Sequence, residues 1–306
     1  LAATLIAHGA TAAIAVPAML AQARAPFDRR LFREMVTYGL PLVPSSLGSY
    51  TAIASDRYIL KEFSSLSATG LYSLGYKLGA MVHSLVTTSF IQIWLPRRFE
   101  HHTREDAPQV FARIFTFFLA VLVFGSLAVS LLARHLVRLL TTEEFWPAHQ
   151  IVPLIALAHI VHAFYYHFTI AIAYHKRTKY YAYLNVSIGV ANVALNLALI
   201  PPFGAWGAAF ATLATYLLRS AGVYVFARRL EKIVFEFGAA VKVIGCAGIL
   251  YALGEALANE RMAIDLTIRI GLLLVYPLLL VATGVISPRE LAGARGDDHL
   301  IAMRAP

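Results

Sequence analysis

Cations, histidines, amides and hydroxyls recur at helical spacing along otherwise apolar stretches of this chain. Ser73, Lys77, Ser84, Thr88 and Gln92 follow steps of four and seven, which place them on one face of a helix. The same rule aligns His159, His162, Tyr166 and Thr169, then Asn185, Asn192 and Asn196, then Thr212, Thr215 and Arg219. Ser45, Ser49 and Asp56 form a fifth set. Guanidinium and ammonium groups bind phosphate oxygens, while hydroxyl, amide and aromatic side chains suit sugars, whose hydroxyls need both donors and acceptors. A phosphate-linked saccharide matches that chemistry, as does any anionic amphiphile. Imidazoles at 159 and 162 titrate near neutral pH and add the option of a proton relay.

The elements that must position these groups are set by composition. Of 306 residues 59% are hydrophobic and only 14% charged, with a mean hydropathy of +0.66. A soluble protein carries about a quarter of its residues charged, so this composition predicts an integral membrane protein and leaves little room for a soluble catalytic domain. Apolar runs of bilayer length cover residues 1–22, 35–54, 71–95, 109–133, 151–173, 182–201, 204–227, 237–257 and 265–286. The expected fold is all-α, a polytopic transmembrane bundle of about nine spans. Pro201-Pro202-Phe203-Gly204 between two runs predicts a helix hairpin, because proline stops one helix and glycine releases the chain. The chain begins with Leu, which points to a fragment or a processed product.

Net charge is +9, and its placement reads as topology. One alternating set of loops, with the tail after 287, carries sixteen Lys and Arg, and the other set carries five. The richer set is expected to be cytoplasmic, with the carboxyl terminus inside, and nucleic-acid binding is not expected. The lone Cys246 gives neither a disulfide framework nor a metal-ligand cluster, and no metal or cofactor is expected.

Each polar residue has a plain reading beside the functional one. Ser, Thr and Asn stripes glue membrane helices together through interhelical hydrogen bonds. Five stripes with two cations and two histidines also suit a water-filled path, because a charge at membrane depth costs at least about 2.5–3.5 kcal/mol. Lys77 lies about 9 Å into its span, where its stem either snorkels or enters a cavity. Arg219 lies about 12 Å from its span's inner end, where snorkelling is less comfortable. The expected cavity set is Arg219, Lys77, His159, His162, Asn192, Asn196 and Thr215. Asp56 and Arg57 read as an interfacial pair that orients a loop. Lys242, Arg269, Arg113 and Glu255 read as anchors near span ends.

Several segments in order, YGLPLVPSSLGSYTAIASDRYIL, ATGLYSLGYKLG, FIQIWLPRRFE, LLTTEEFWPAHQIVPLIAL and NVALNLALIPPFGAWGAAFATLATYLL, resemble the polysaccharide flippases of the multidrug, oligosaccharidyl-lipid and polysaccharide exporter superfamily, O-antigen flippases among them. The resemblance covers most of residues 30–230. It implies two six-helix lobes about a central cavity, often with two added carboxyl-terminal helices, moving lipid-diphosphate-linked saccharides by alternating access. Residues 1–22 would then be the last helix of a truncated first lobe, 23–34 the cytoplasmic linker, 35–227 the second lobe, 228–286 the two added helices and 287–306 a cytoplasmic tail, with about five helices absent. The implied protein is a transporter and not an enzyme, placed in the bacterial inner membrane. Its implied partners are a lipid-linked oligosaccharide, membrane lipid, and the glycan polymerase and glycosyltransferases of cell-surface polysaccharide synthesis. Three rivals stay open: a cation-coupled drug exporter of the same superfamily, a membrane glycosyltransferase or polymerase, and a non-transporting scaffold.

Overall fold

The computed structural model describes residues 2–22, 27–40, 42–100, 106–175, 177, 179–231 and 234–287, and all regular structure among them is helical. The chain divides into two compact units, Leu1–Leu40 and Pro41–Pro306. The first holds α1 (Ala2–Gln22) and α2 (Arg29–Gly39). The second holds α3 (Leu42–Phe63), α4 (Leu66–Val82), a π-helical turn (His83–Thr87) and α5 (Thr88–Glu100). Then come α6 (Ala107–Leu140), a 3₁₀ helix (Glu143–Gln150), α7 (Val152–Tyr174), α8 (Lys179–Ala227), α9 (Phe237–Ala256) and α10 (Met262–Ala282). Six of the described helices are long and apolar enough to cross a membrane. The chain is a multi-pass membrane protein.

The expected run at 35–54 is divided between two helices, with α2 ending at Gly39 and α3 beginning at Leu42. The sequence Gly39-Leu40-Pro41 supplies the reason, since glycine weakens a helix and proline brings no N–H to continue one. Asp56 and Arg57 consequently lie inside α3 and not at its end. The expected linker 23–34 has residues 23–26 outside the described part, and most of the expected tail 287–306 also lies outside it.

The second unit is built on α6, whose 34 residues run about 51 Å at 1.5 Å each. Phe115, Leu119, Leu122, Val123 and Leu127 form its buried side, and α7, α9, α10 and Val82 of α4 close on it. The pair α9–α10 is also held by charge. Arg269, which is only 2% exposed, donates from Nε to Asp265 (2.8 Å) and from Nη1 to Glu255 (2.9 Å) and the Leu131 carbonyl on α6 (2.7 Å). His135 of α6 meets the same Asp265 carboxylate at 2.7 Å. Arg269 is therefore a buried ion-pair centre, where the sequence had placed an interfacial anchor.

The predicted hairpin is present in α8. Gly204 adopts φ 55°, ψ −130°, a conformation that costs other residues dearly, and a Cβ on Gly207 would meet the Leu199 carbonyl oxygen at 2.1 Å. The two arms run back along each other, and α3 packs against them. At the crossing Gly48 faces Asn185 and Gly189: a Cβ on Gly48 would lie 2.5 Å from the Asn185 carbonyl oxygen, and one on Gly189 would lie 2.7 Å from that of Gly48. Small residues at such a crossing are what lets two membrane helices approach at backbone distance.

Replacing Gly48 with Ile should drive α3 off α8 and cost about 3 kcal/mol or more, since backbone cannot yield as a side chain does. Gly245→Ala, where nothing lies within 4 Å, should leave stability unchanged or slightly raised. Unfolding midpoints of both variants in detergent check the pair.

Candidate functional site

The close α3–α8 crossing sets the polar residues of three chain segments against one another. Asn192, in the first arm of α8, is their hub. Its Oδ1 accepts from Ser55 Oγ of α3 (2.7 Å) and from Asn196 Nδ2 (3.0 Å), and its Nδ2 donates to Thr215 Oγ1 on the second arm (3.0 Å). Asn196 Nδ2 also donates to Ser55 Oγ at 3.2 Å, and Asn185 Nδ2 donates to Ser45 Oγ at 2.7 Å. Asn185, Asn192, Asn196 and Thr215 are all buried. Spacing of seven and four along one arm, met by Thr212, Thr215 and Arg219 on the other, is what makes this register possible.

A second set lies where α3 meets α4. Asp56, 1% exposed, accepts from the Tyr72 hydroxyl at 2.6 Å and pairs with Arg57 at 3.5 Å. Tyr72 also shares a 3.2 Å contact with Thr212, which ties α4 to the α8 hairpin. The pair expected at an interface has its carboxylate inside the unit. Arg57 places its guanidinium over the Tyr76 ring at 4.8 Å, and the Tyr76 hydroxyl lies 3.4 Å from that of Tyr216.

Arg219 and the histidines form the third set. Arg219 is buried, stacks over the Tyr165 ring at 4.2 Å, and brings Nη1 to 3.5 Å from His162 Nε2. His162 stacks on Tyr216 at 4.3 Å. His83, at the start of the π-helical turn, lies 4.7 Å from His159 and 5.2 Å from His162 between ring centroids. Among the described residues no partner meets either ring nitrogen of His159, or Nδ1 of His83 and of His162.

Three histidines from two helices invite the question of a metal. Their candidate nitrogens lie within 4.8 Å of one another, whereas zinc–nitrogen bonds of about 2.0–2.1 Å in tetrahedral array hold ligand atoms about 3.3 Å apart. Arg219 also places a positive charge against His162, and no carboxylate belongs to the trio. As it stands the cluster suits polar or negatively charged ligands better than a divalent cation.

Of the residues picked out in the sequence, Arg219, His159 and His162 come together, and Asn192, Asn196 and Thr215 come together beside them. Lys77 joins neither group. It is exposed and lines a crevice with Ser73, Gly70 and Thr142. Ser84, Thr88 and Gln92 are exposed as well, so the polar stripe of α4 and α5 lies on a side that the rest of the unit leaves uncovered. His83, Tyr72 and Tyr76 were missed. Tyr72, Tyr76 and His83 follow steps of four and seven themselves, a signal that was available about 100° round the same helix.

Residues 2–102 match the family model described as polysaccharide biosynthesis protein. That match covers about a third of the chain. The flippase resemblance read from the sequence therefore stands. Among solved structures the fold matches that of "Lipid II flippase MurJ, inward closed conformation", with a TM-score of 0.65 and 13% identity, over 86% of this chain and 57% of that one. At that identity the likeness shows the fold alone, a polytopic helical bundle. The chain spans little more than half the length of the protein it matches. No curated protein matches the chain.

If Asn192 is a structural hub, Asn192→Leu should strand Ser55, Asn196 and Thr215 and lower stability by about 1–3 kcal/mol. Thr215→Val removes one bond and should cost about 0.6 kcal/mol. Denaturation in mixed micelles checks the order of the two.

Proposed function

We propose that this chain is part of a flippase that carries a lipid-diphosphate-linked oligosaccharide from the cytoplasmic to the outer leaflet of a bacterial inner membrane. The cargo would serve cell-surface polysaccharide synthesis, of the O-antigen or exopolysaccharide kind, alongside glycosyltransferases and a glycan polymerase. No covalent step is required. The carboxyl terminus would be cytoplasmic, in line with the excess of Lys and Arg in the alternate loops.

The observation that carries this reading is the uncovered polar side of α4 and α5, where Lys77, Ser84, Thr88 and Gln92 are exposed on helices of membrane length. Met81, Leu85 and Ile93 share that side, which gives it the mixed character a glycolipid requires. Facing lipid, the lysine alone would cost at least about 2.5–3.5 kcal/mol. Facing a wet path, it is a phosphate ligand on a flexible stem. In this proposal Lys77 meets the diphosphate, Ser84, Thr88 and Gln92 meet sugar hydroxyls, and Arg219 with His159 and His162 supplies a polar, positive interior behind them. Asn192, Asn196 and Thr215 keep the hairpin closed around that interior. The family-model match over residues 2–102 and the MurJ-like fold support the transport class.

The test is transport of a fluorescent lipid-diphosphate oligosaccharide in vesicles holding the full-length protein. Lys77→Ala should slow it about tenfold or more, the loss expected of one charge-assisted hydrogen bond, while Lys77→Arg retains most of the rate. Arg219→Ala should slow it with unchanged membrane insertion. Full rates in both alanine variants, with helical content intact, would overturn this assignment of residues.

A further inference from the structure

Arg98 is the last residue of the apolar stretch Leu66–Arg98, one of the six long enough to cross a membrane, yet it is only 6% exposed. Its Nη1 donates to the His167 carbonyl on α7 at 2.9 Å, and its guanidinium lies over the Phe111 ring at 4.9 Å. Its Nε meets no acceptor among the described residues. A guanidinium carries five N–H donors, and this one bonds no carboxylate among the described residues. Glu231, whose charge reaches Arg98, pairs instead with His175 at 3.6 Å.

His167 is in the same position. It is 3% exposed, and neither ring nitrogen forms a hydrogen bond among the described residues, although the Val234 backbone comes near. A neutral imidazole still has one N–H to give.

Both side chains line one half-enclosed cavity of about 60 Å³ between α5, α6 and α7, several times the roughly 10–15 Å³ that a single water needs. Rings that already have partners hold it open. Phe90 stacks on Phe118 with centroids 4.1 Å apart, and Trp94 meets Phe111 edge-on at 5.4 Å.

Buried donors without acceptors call for an occupant, and the chemistry narrows what it is. The fixed charge of Arg98 repels a metal cation. Apolar walls strengthen its pull on an anion, and its planar fork matches an oxyanion. Tyr166 adds a phenol to the lining. Thr169 adds no donor, because its hydroxyl already serves the Tyr166 carbonyl at 3.1 Å. Position narrows the choice further. The end of a span lies near the level of the lipid phosphates. Leu95 is exposed beside the cavity and Ile91 and Trp94 are half-buried there, an apolar lip of the kind an acyl chain covers.

We propose that this cavity binds a phosphate group, with Arg98 and His167 as its donors, and that a phospholipid at the end of the span supplies it. Free inorganic phosphate has the same chemistry and is the other source. No transported cargo is involved, so the assignment does not rest on the flippase reading.

The experiment uses the full chain with Trp146→Phe and Trp206→Phe, which leaves Trp94 as the only indole. The protein is held in phosphatidylcholine nanodiscs containing a small share of either phosphatidic acid or phosphatidylcholine brominated on its acyl chains. Bromine quenches a neighbouring indole. Brominated phosphatidic acid should quench Trp94 more than brominated phosphatidylcholine does, and inorganic phosphate should relieve the excess where chloride at equal ionic strength does not. Arg98→Gln should weaken this binding about tenfold or more, the loss expected of one charge-assisted hydrogen bond. Arg97→Gln, an exposed neighbour with the same change of charge, should leave it unchanged. A Trp94 response to inorganic phosphate without excess quenching by phosphatidic acid would keep the phosphate site and overturn the lipid as its source. Wild-type protein that shows neither response would overturn the site, whatever the variants do. Equal losses in Arg97→Gln and Arg98→Gln, with helical content intact, would overturn it as well, because diffuse surface charge would then account for the binding.

Discussion

A polar group inside a bilayer has no water to turn to, so a membrane helix that carries one must find it a protein partner or a wet cavity. Asn192 shows the first solution. Its amide joins Ser55 of α3, Asn196 of its own arm and Thr215 of the opposing arm, and no single helix could satisfy it. The need to satisfy that amide fixes the register of three segments at once. Gly48 and Gly189 allow it, because a side chain at either position would hold α3 away from the hairpin and stretch the bonds beyond reach.

In the proposed transport path, the second solution belongs to α4 and α5. One side is committed to the unit: Tyr72 bonds Asp56, Tyr76 lies against Tyr216, and His83 stacks on the histidines of α7. The other side presents Lys77, Ser84, Thr88 and Gln92 outward. The π-helical turn at His83–Thr87 sits between the two stretches. A wider turn adds a residue without adding a full rotation, so the buried and uncovered sides shift phase across it. Such turns cluster at functional sites, where they re-aim side chains.

What could be read from the sequence follows the same division. Hydropathy marks the long apolar helices, and Pro201-Pro202-Phe203-Gly204 marks the hairpin, because both are local properties of the chain. The Asn and Thr stripes of α8 were legible for the same reason, each repeating at helical spacing. Long-range pairing was not. Nothing near Arg269 in sequence distinguishes a surface anchor from the centre of a buried cluster, since the group that settles it is the Leu131 carbonyl on α6. Asp56 likewise looked terminal because Tyr72, its partner across a turn, could not be placed. His83 escaped because the polar stripe counted from Ser73 runs past it, while its own steps of four and seven start from Tyr72 and Tyr76, which read as ordinary aromatic packing residues.

This division of polar groups bears on how such a unit works. A network in which donors and acceptors are matched resists rearrangement, because opening it strands several buried groups at about 1–3 kcal/mol each. A cargo that had to enter the Asn192 network would bear that cost on every passage. A cargo that slid along the uncovered side of α4 and α5 would meet hydroxyls and an ammonium group that owe nothing to the fold. The Asn192 network is thus suited to move as one rigid body, and the uncovered stripe to exchange partners as it moves. Arg219 stands between the two, held on the Tyr165 face and against His162, with nitrogens of the neighbouring histidines still lacking partners among the described residues. That incompleteness separates the histidine cluster from the asparagine network, and it makes the cluster the part of the interior most able to respond to charge arriving on the other side of the helix.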